Sequence, residues 1–218
     1  MFEWTDRLQA SGDWITFILF IIFALLAFLS QRHYSQFRLF VDIRNLNNYL
    51  NIYGKDKYLS HLHQFNLILF FISLLAYALY AHFFYQKILI SFLGRIKFYE
   101  ILIFLFSLVT IRFFVLKMIL NPIGLKNTFD QVYFKSLTIK GLIGIMGSCF
   151  LLLYHFTFPD NHNFLLISLL IVFASSFIYH ITIYIEITSK QPTHLFYIIL
   201  YLCGFKIAPW LWLYLILY

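Results

Sequence analysis

The sequence predicts an all-α protein, a polytopic bundle of transmembrane helices with six spans. Two observations predict this fold class: 62% of the 218 residues are hydrophobic and only 11% are charged, against about 25% in an ordinary soluble domain. Such a chain has more apolar surface than one soluble core can enclose, so the lipid bilayer must serve as its solvent. We therefore expect a single membrane domain over residues 1–218.

Six apolar runs are long enough to cross a bilayer, because a helix needs about 20 apolar residues to span a hydrocarbon layer of roughly 30 Å. They are residues 14–30, 65–85, 98–119, 141–158, 164–187 and 196–218. Runs such as Ile15–Leu29 are apolar on every side and do not alternate with a period of two. This pattern indicates helices and not the strands of a membrane barrel.

The distribution of Lys and Arg predicts how the bundle is oriented. Eleven basic residues lie in or beside the segments that follow spans one, three and five, and four lie on the other side. Because basic loops face the cytoplasm, we expect both termini on the non-cytoplasmic side of the membrane. The basic side would suit contact with anionic lipid or with the ribosome, and we expect no sequence-specific binding of nucleic acid.

The segment 31–63, between the first two spans, predicts one amphipathic cytoplasmic helix. Its apolar positions recur at spacings of four, three and four on one helical face: Leu39, Ile43, Leu46 and Leu50. Arg38 and Arg44 lie outside that face. The helix either rests on the inner leaflet or docks a partner protein, and we favour the first interpretation.

Lys206 lies near the middle of the sixth predicted span, and Pro209 follows three residues later. A charge in hydrocarbon is costly, which makes Lys206 a candidate functional residue. Pro209 should kink the helix and free a backbone carbonyl. Lys206 therefore belongs to a substrate or ion path, pairs with a carboxylate of another subunit, or snorkels and caps the freed carbonyl.

Two further groups of residues predict contacts between helices. Span five carries a polar stripe, which in a bilayer faces other helices or water: Ser168, Ser175, Tyr179, His180, Thr182 and Glu186. We interpret the stripe as a helix interface, with a solute path as the alternative. Span four begins with small residues that permit close helix approach: Gly141, Gly144, Gly147 and Ser148.

Motifs for catalysis and for metal binding are missing from the sequence. It contains no phosphate loop, no H-E-x-x-H and no G-x-S-x-G, each of which carries a known chemistry. His82, His155 and His162 should lie at a similar depth, but no two have the i, i+4 spacing of a metal motif. We therefore expect no enzyme, no metal site and no cofactor.

The C-terminal stretch 196–209 carries Tyr-Leu-Cys at 201–203, followed by Lys206 and Pro209. It resembles the closing segment of an uncharacterised integral-membrane family of Bacteroidota that is catalogued as a domain of unknown function. In that family Tyr-Leu-Cys precedes a charged position, commonly acidic, and then Pro; here the charged position is Lys206. The resemblance implies a similar length and span layout and a Gram-negative inner membrane, and it carries over no catalytic residues.

These patterns together predict a non-enzymatic accessory or scaffold subunit of a larger envelope complex concerned with protein export. Its expected partners are the lipid bilayer and other membrane-protein subunits. The alternative is a small-solute, ion or lipid transporter, with a path between Lys206 and the polar stripe of span five.

Overall fold

The computed structural model describes residues 13–42, 46–54, 63–86, 97–120, 126–158 and 161–190, and within these ranges the regular structure is helical. The helices are α1 Asp13–Arg32, α2 Tyr34–Val41, α3 Leu46–Tyr53, α4 Gln64–Phe84, α5 Phe98–Leu120, α6 Lys126–Thr157 and α7 His162–Lys190. The all-α prediction is confirmed for this part of the chain.

Among the described residues, five stretches of helix are long and apolar enough to cross a membrane. They are Trp14–Arg32, Gln64–Phe84, Phe98–Val115, Tyr133–Thr157 and His162–Tyr179. The first three predicted spans agree with α1, α4 and α5 to within two residues at each end. The sixth predicted span, 196–218, lies outside the described residues.

Helix α6 is much longer than the span predicted from residue 141. It has 32 residues and begins at Lys126, which makes it about 48 Å long at 1.5 Å per residue. Residues 126–140 contain neither Pro nor Gly, so the backbone stays helical, and the candidate span begins only at Tyr133, after the charged residues Lys126 and Asp130. The first two turns of α6 therefore extend past its membrane-crossing part.

The prediction of a single amphipathic helix over 31–63 is wrong, because the described residues of this segment form the two short helices α2 and α3. The chain leaves the helical conformation at Asp42, where φ is −76° and ψ is 97°. The Asp and Asn residues here favour turns over helix interiors, since their side chains compete for backbone hydrogen bonds. The break allows α2 and α3 to turn towards each other, with the rings of Phe40 and Tyr49 5.7 Å apart.

Helix α4 lies at the centre of the bundle, in contact with α1, α5 and α6, while α7 packs on α6. Consecutive long helices run antiparallel. Trp14 at the start of α1 meets His82 at the end of α4, whereas Phe40 of α2 meets Phe65 at the start of α4. We call the end of the bundle that carries α2 and α3 the capped end, and the other the opposite end.

Candidate functional site

The small residues of α6 lie against α4, where the two helices come closest. A Cβ atom added to Gly144 would lie 3.0 Å from Ser73 Cα, and one added to Gly147 would lie 2.9 Å from Tyr80 Cε2. The Tyr80 hydroxyl also donates to the Gly147 carbonyl at 3.2 Å. Gly141 faces Leu69 in the same way. Gly144 therefore permits contact with the backbone of α4, and Gly141 and Gly147 leave room for side chains of α4; such close approach stabilises helix pairs in membranes through van der Waals packing.

Hydroxyl groups along the polar stripe of α7 are satisfied by their own helix. The Ser168 hydroxyl donates to the Leu165 carbonyl at 2.9 Å, and Thr182 donates to the Ile178 carbonyl at 3.0 Å. Ser175 donates to carbonyls in the preceding turn in the same way. Such back-bonding lets Ser and Thr reside in an apolar helix without a partner from another element.

Burial of the polar stripe decreases along α7, from Ser168 to Thr182. Ser168 is only 3% exposed, Ser175 and Tyr179 are partly buried, and Thr182 is exposed. Ser168 lies close to Tyr80 of α4, so the stripe forms a helix interface at its beginning. In the described residues this interface ends before Thr182. Ser148 of α6 is likewise buried, with its hydroxyl donating to the Gly144 carbonyl at 2.7 Å.

Several of the sequence-predicted site residues cannot be placed. Lys206 and Pro209 lie outside the described residues, as do the side chains of Ile43, Arg44, His180 and Glu186.

The apolar side chains predicted for docking that the structure describes pack inside the protein. Leu46 is buried, and Leu39 and Leu50 pack against the same cluster, whereas Arg38 is exposed. We call α2 and α3 together the cap. The cluster joins the cap to the bundle through aromatic rings, with Tyr49 stacked on Phe134 of α6 at a centroid distance of 6.0 Å. The apolar stripe of this segment thus holds α2 and α3 on the bundle.

Tyr49 is the polar centre of this aromatic cluster. It is fully buried, and the Gln36 side-chain amide donates to its hydroxyl at 3.4 Å. Burial raises the pKa of Tyr49 above its ordinary value, and its hydrogen bonds to Gln36 and Thr138 oppose that rise. A buried hydroxyl that is held from both α2 and α6 fixes the position of the cap, because each unmade bond would leave a desolvated polar group.

Two histidines meet where the cap joins the membrane-crossing helices. The rings of His33, between α1 and α2, and His63, which precedes α4, lie 5.8 Å apart. Burial lowers the pKa of His63, and the neighbouring His33 lowers it further. Both side chains lie outside the candidate spans.

The opposite end holds His82 among aromatic rings. The His82 ring lies 5.0 Å from Trp14 and 5.9 Å from Phe98, and it is 3% exposed. Neither ring nitrogen has a hydrogen-bond partner among the described residues. By contrast, His155 Nε2 and Thr16 Oγ1 form a hydrogen bond of 3.2 Å. Within the described ranges, no three His, Cys, Asp or Glu side chains are grouped to hold a metal ion.

A half-open cavity of about 270 Å³ lies between α4, α5 and α6. Its lining residues are Asn66, Leu67, Phe70, Phe71, Phe106, Tyr133, Phe134 and Leu137. Asn66 and Phe134 are buried at its base, whereas Leu67, Phe71 and Phe106 are exposed at its rim. Sequence reasoning missed this cavity, because its walls come from three helices whose packing is not visible in one-dimensional periodicity. The available signal was Asn66, a polar residue near the start of a long apolar span.

Comparison with known protein families identifies the family of this chain. Residues 15–217 match a family model described as a domain of unknown function, DUF4271, and the C-terminal stretch 196–209 lies inside that range. No curated protein and no solved structure matches the chain.

Proposed function

The chain belongs to the family of the domain of unknown function DUF4271, and from this premise we propose that it is a non-catalytic scaffold subunit of a larger membrane complex. The observation that carries the proposal is the outward face of α2. Tyr34, Arg38 and Val41 are all exposed and stand at i, i+4 and i+7, which places them on one side of the helix. Apolar and basic anchors at this spacing are typical of a helix that docks into a groove of a partner protein.

The physical reason for a docking role is that α2 has two distinct faces. Its inner face, with Phe40 and Gln36, is buried on the bundle, so the helix is held rigidly. Its outer face keeps Tyr34 and Arg38 exposed, and both residue types are enriched at the energetic centres of protein interfaces. A preordered helix loses little conformational entropy on binding.

We place the protein in an inner membrane with the capped end in the cytoplasm and with six spans. The support is the excess of basic residues in the segments on this side, because basic loops are retained in the cytoplasm. Protein export is the process that we propose for the complex, and the identity of the docked partner tests it.

Co-purification from native membranes tests the proposal. The tagged full-length chain is extracted in mild detergent, and co-eluting proteins are quantified by mass spectrometry for the parent chain, Tyr34→Ala, Arg38→Ala and Ser35→Ala. Ser35 is exposed on another side of α2 and serves as the matched control. We expect a stoichiometric membrane-protein partner whose recovery falls about tenfold in Tyr34→Ala and Arg38→Ala, since a contact at the centre of an interface contributes 1.4 kcal/mol or more.

Two results would contradict the docking proposal. A monodisperse chain without a stoichiometric partner, or equal recovery of the partner from all four proteins, would show that this face of α2 does not dock a protein.

A further inference from the structure

We propose that the cavity between α4, α5 and α6 binds one acyl chain of an anionic phospholipid, with the lipid phosphate held near Lys117. This site is distinct from the docking face of α2 and does not depend on it. The proposal rests on the shape of the cavity, the polarity of its two ends and the cation beside it.

The size and opening of the cavity fit a flexible apolar chain. Its volume of about 270 Å³ exceeds the ~150 Å³ of an apolar protein cavity that binds benzene. Leu67 and Phe71 of α4 and Phe106 of α5 stand exposed at its rim. All three belong to membrane-crossing helices, so the cavity opens towards hydrocarbon and not towards water.

The polar residues of the cavity lie at one depth. Asn66 is the third residue of the candidate span Gln64–Phe84, and Tyr133 is the first residue of Tyr133–Thr157. Both spans begin at the capped end, so the polar end of the cavity lies at the level where lipid headgroups meet the hydrocarbon. Tyr is enriched at this level because its ring is apolar and its hydroxyl is polar. The cavity is therefore amphipathic in the same direction as a lipid of the adjacent leaflet.

A cation stands beside this polar end. The Lys117 ammonium lies 5.8 Å from the centroid of the Phe113 ring, and that ring lies 5.0 Å from the ring of Tyr133. Lys117 is exposed and follows the candidate span that ends at Val115. Its charge is thus available at headgroup depth, where one basic residue attracts an anionic lipid by about 1 kcal/mol.

Native mass spectrometry of the purified full-length chain tests the site. The protein is titrated in mild detergent with dioleoyl phosphatidylglycerol or with dioleoyl phosphatidylcholine, which share acyl chains and differ in net charge. We expect one phosphatidylglycerol to be retained in preference to phosphatidylcholine. Equal retention of the two lipids would overturn the proposal.

Two variants locate the bound lipid. Leu137→Trp fills the cavity and should abolish retention, whereas Leu153→Trp, at an exposed position on the same helix, should not.

The lysine variant tests the headgroup contact. Lys117→Gln should weaken binding of phosphatidylglycerol about fivefold, the equivalent of about 1 kcal/mol, and leave binding of phosphatidylcholine unchanged. Lys97→Gln, at an exposed position of the opposite end, is its control.

Retention by folded Leu137→Trp, or equal loss in Leu137→Trp and Leu153→Trp, would show that the lipid does not occupy this cavity. If Leu137→Trp does not fold, the surface variant decides: an unchanged preference for phosphatidylglycerol in Lys117→Gln would overturn the proposal.

Discussion

Buried polar residues inside the bundle differ in whether their polar atoms form hydrogen bonds. The hydroxyls of Ser148 and Ser168 donate to carbonyls of their own helices, so burial leaves no bond unmade. His82 is equally buried, but neither ring nitrogen finds a partner among the described residues. An unsatisfied buried polar group costs about 1–3 kcal/mol. Within the described part of the chain, His82 therefore carries this cost.

Replacing His82 should stabilise the protein. His82→Phe keeps an aromatic ring against Trp14 and Phe98 and removes both unpaired nitrogens, so we expect a gain of about 1–2 kcal/mol in the free energy of unfolding. Thermal melting in detergent measures it. His155→Phe is the matched control, because that ring is hydrogen-bonded to Thr16 and its replacement should give no gain. A lower melting temperature for His82→Phe would show that the ring nitrogens bind something in the native protein.

His63 should make the stability depend on pH. Burial and His33 lower its pKa in the folded chain below the ordinary value of about 6.5, so the unfolded chain takes up a proton first. Neutral His63 makes its full contribution to the free energy of unfolding above about pH 6.5. That contribution is lost as the pH falls from this value through the lower pKa of the folded chain. Melting of the parent chain between pH 8 and pH 5 should show this loss.

The His63→Asn variant isolates the effect, since Asn does not titrate and is a favourable residue before a helix. Its melting temperature should fall less between pH 8 and pH 5 than that of the parent chain. Gln64→Asn, at the neighbouring exposed position, should keep the full dependence. Equal pH profiles for the parent chain and His63→Asn would contradict this assignment.

Among the helices, the pair α4 and α6 depends most on close approach. The Cβ position of Gly144 lies 3.0 Å from the backbone of Ser73, so a larger residue must push the two helices apart. For Gly144→Leu we expect a loss of roughly 1–3 kcal/mol from overpacking, measured by thermal melting in detergent. Ala27→Leu adds a similar volume at an exposed position of α1 and should leave the melting temperature unchanged. A parent-like melting temperature for Gly144→Leu would mean that this approach is not required.

The break between α2 and α3 shows what helical periodicity misses. The apolar positions 39, 43, 46 and 50 keep a helical spacing through the break, so the pattern predicts one continuous helix. Packing decides otherwise, because Phe40 and Tyr49 both reach Phe65 only when the chain turns at Asp42. Rings that meet across elements contribute more than a few residues of helix propensity.

The orientation that we propose for the whole molecule rests on the excess of basic residues in the segments at the capped end. We expect Arg38→Cys to be shielded and Asn161→Cys to be labelled when a membrane-impermeant thiol reagent is added to right-side-out vesicles. Both variants are made with Cys149 and Cys203 replaced by Ala, and solubilised protein serves as the control for reactivity. Labelling at residue 38 but not at 161 would reverse the orientation.

The sequence by itself determined that the described part of the chain is helical and where the first three candidate spans lie. It also indicated a family of unknown function, which the match over residues 15–217 confirms. These properties depend on local composition and on the length of apolar runs, which are one-dimensional quantities. The tertiary structure alone decided that Leu39 and Leu46 pack inward, that His82 lacks a partner in the described part, and that a cavity lies between α4, α5 and α6. Each of these depends on which helices become neighbours, and hydropathy carries no such information because it is summed along one helix at a time.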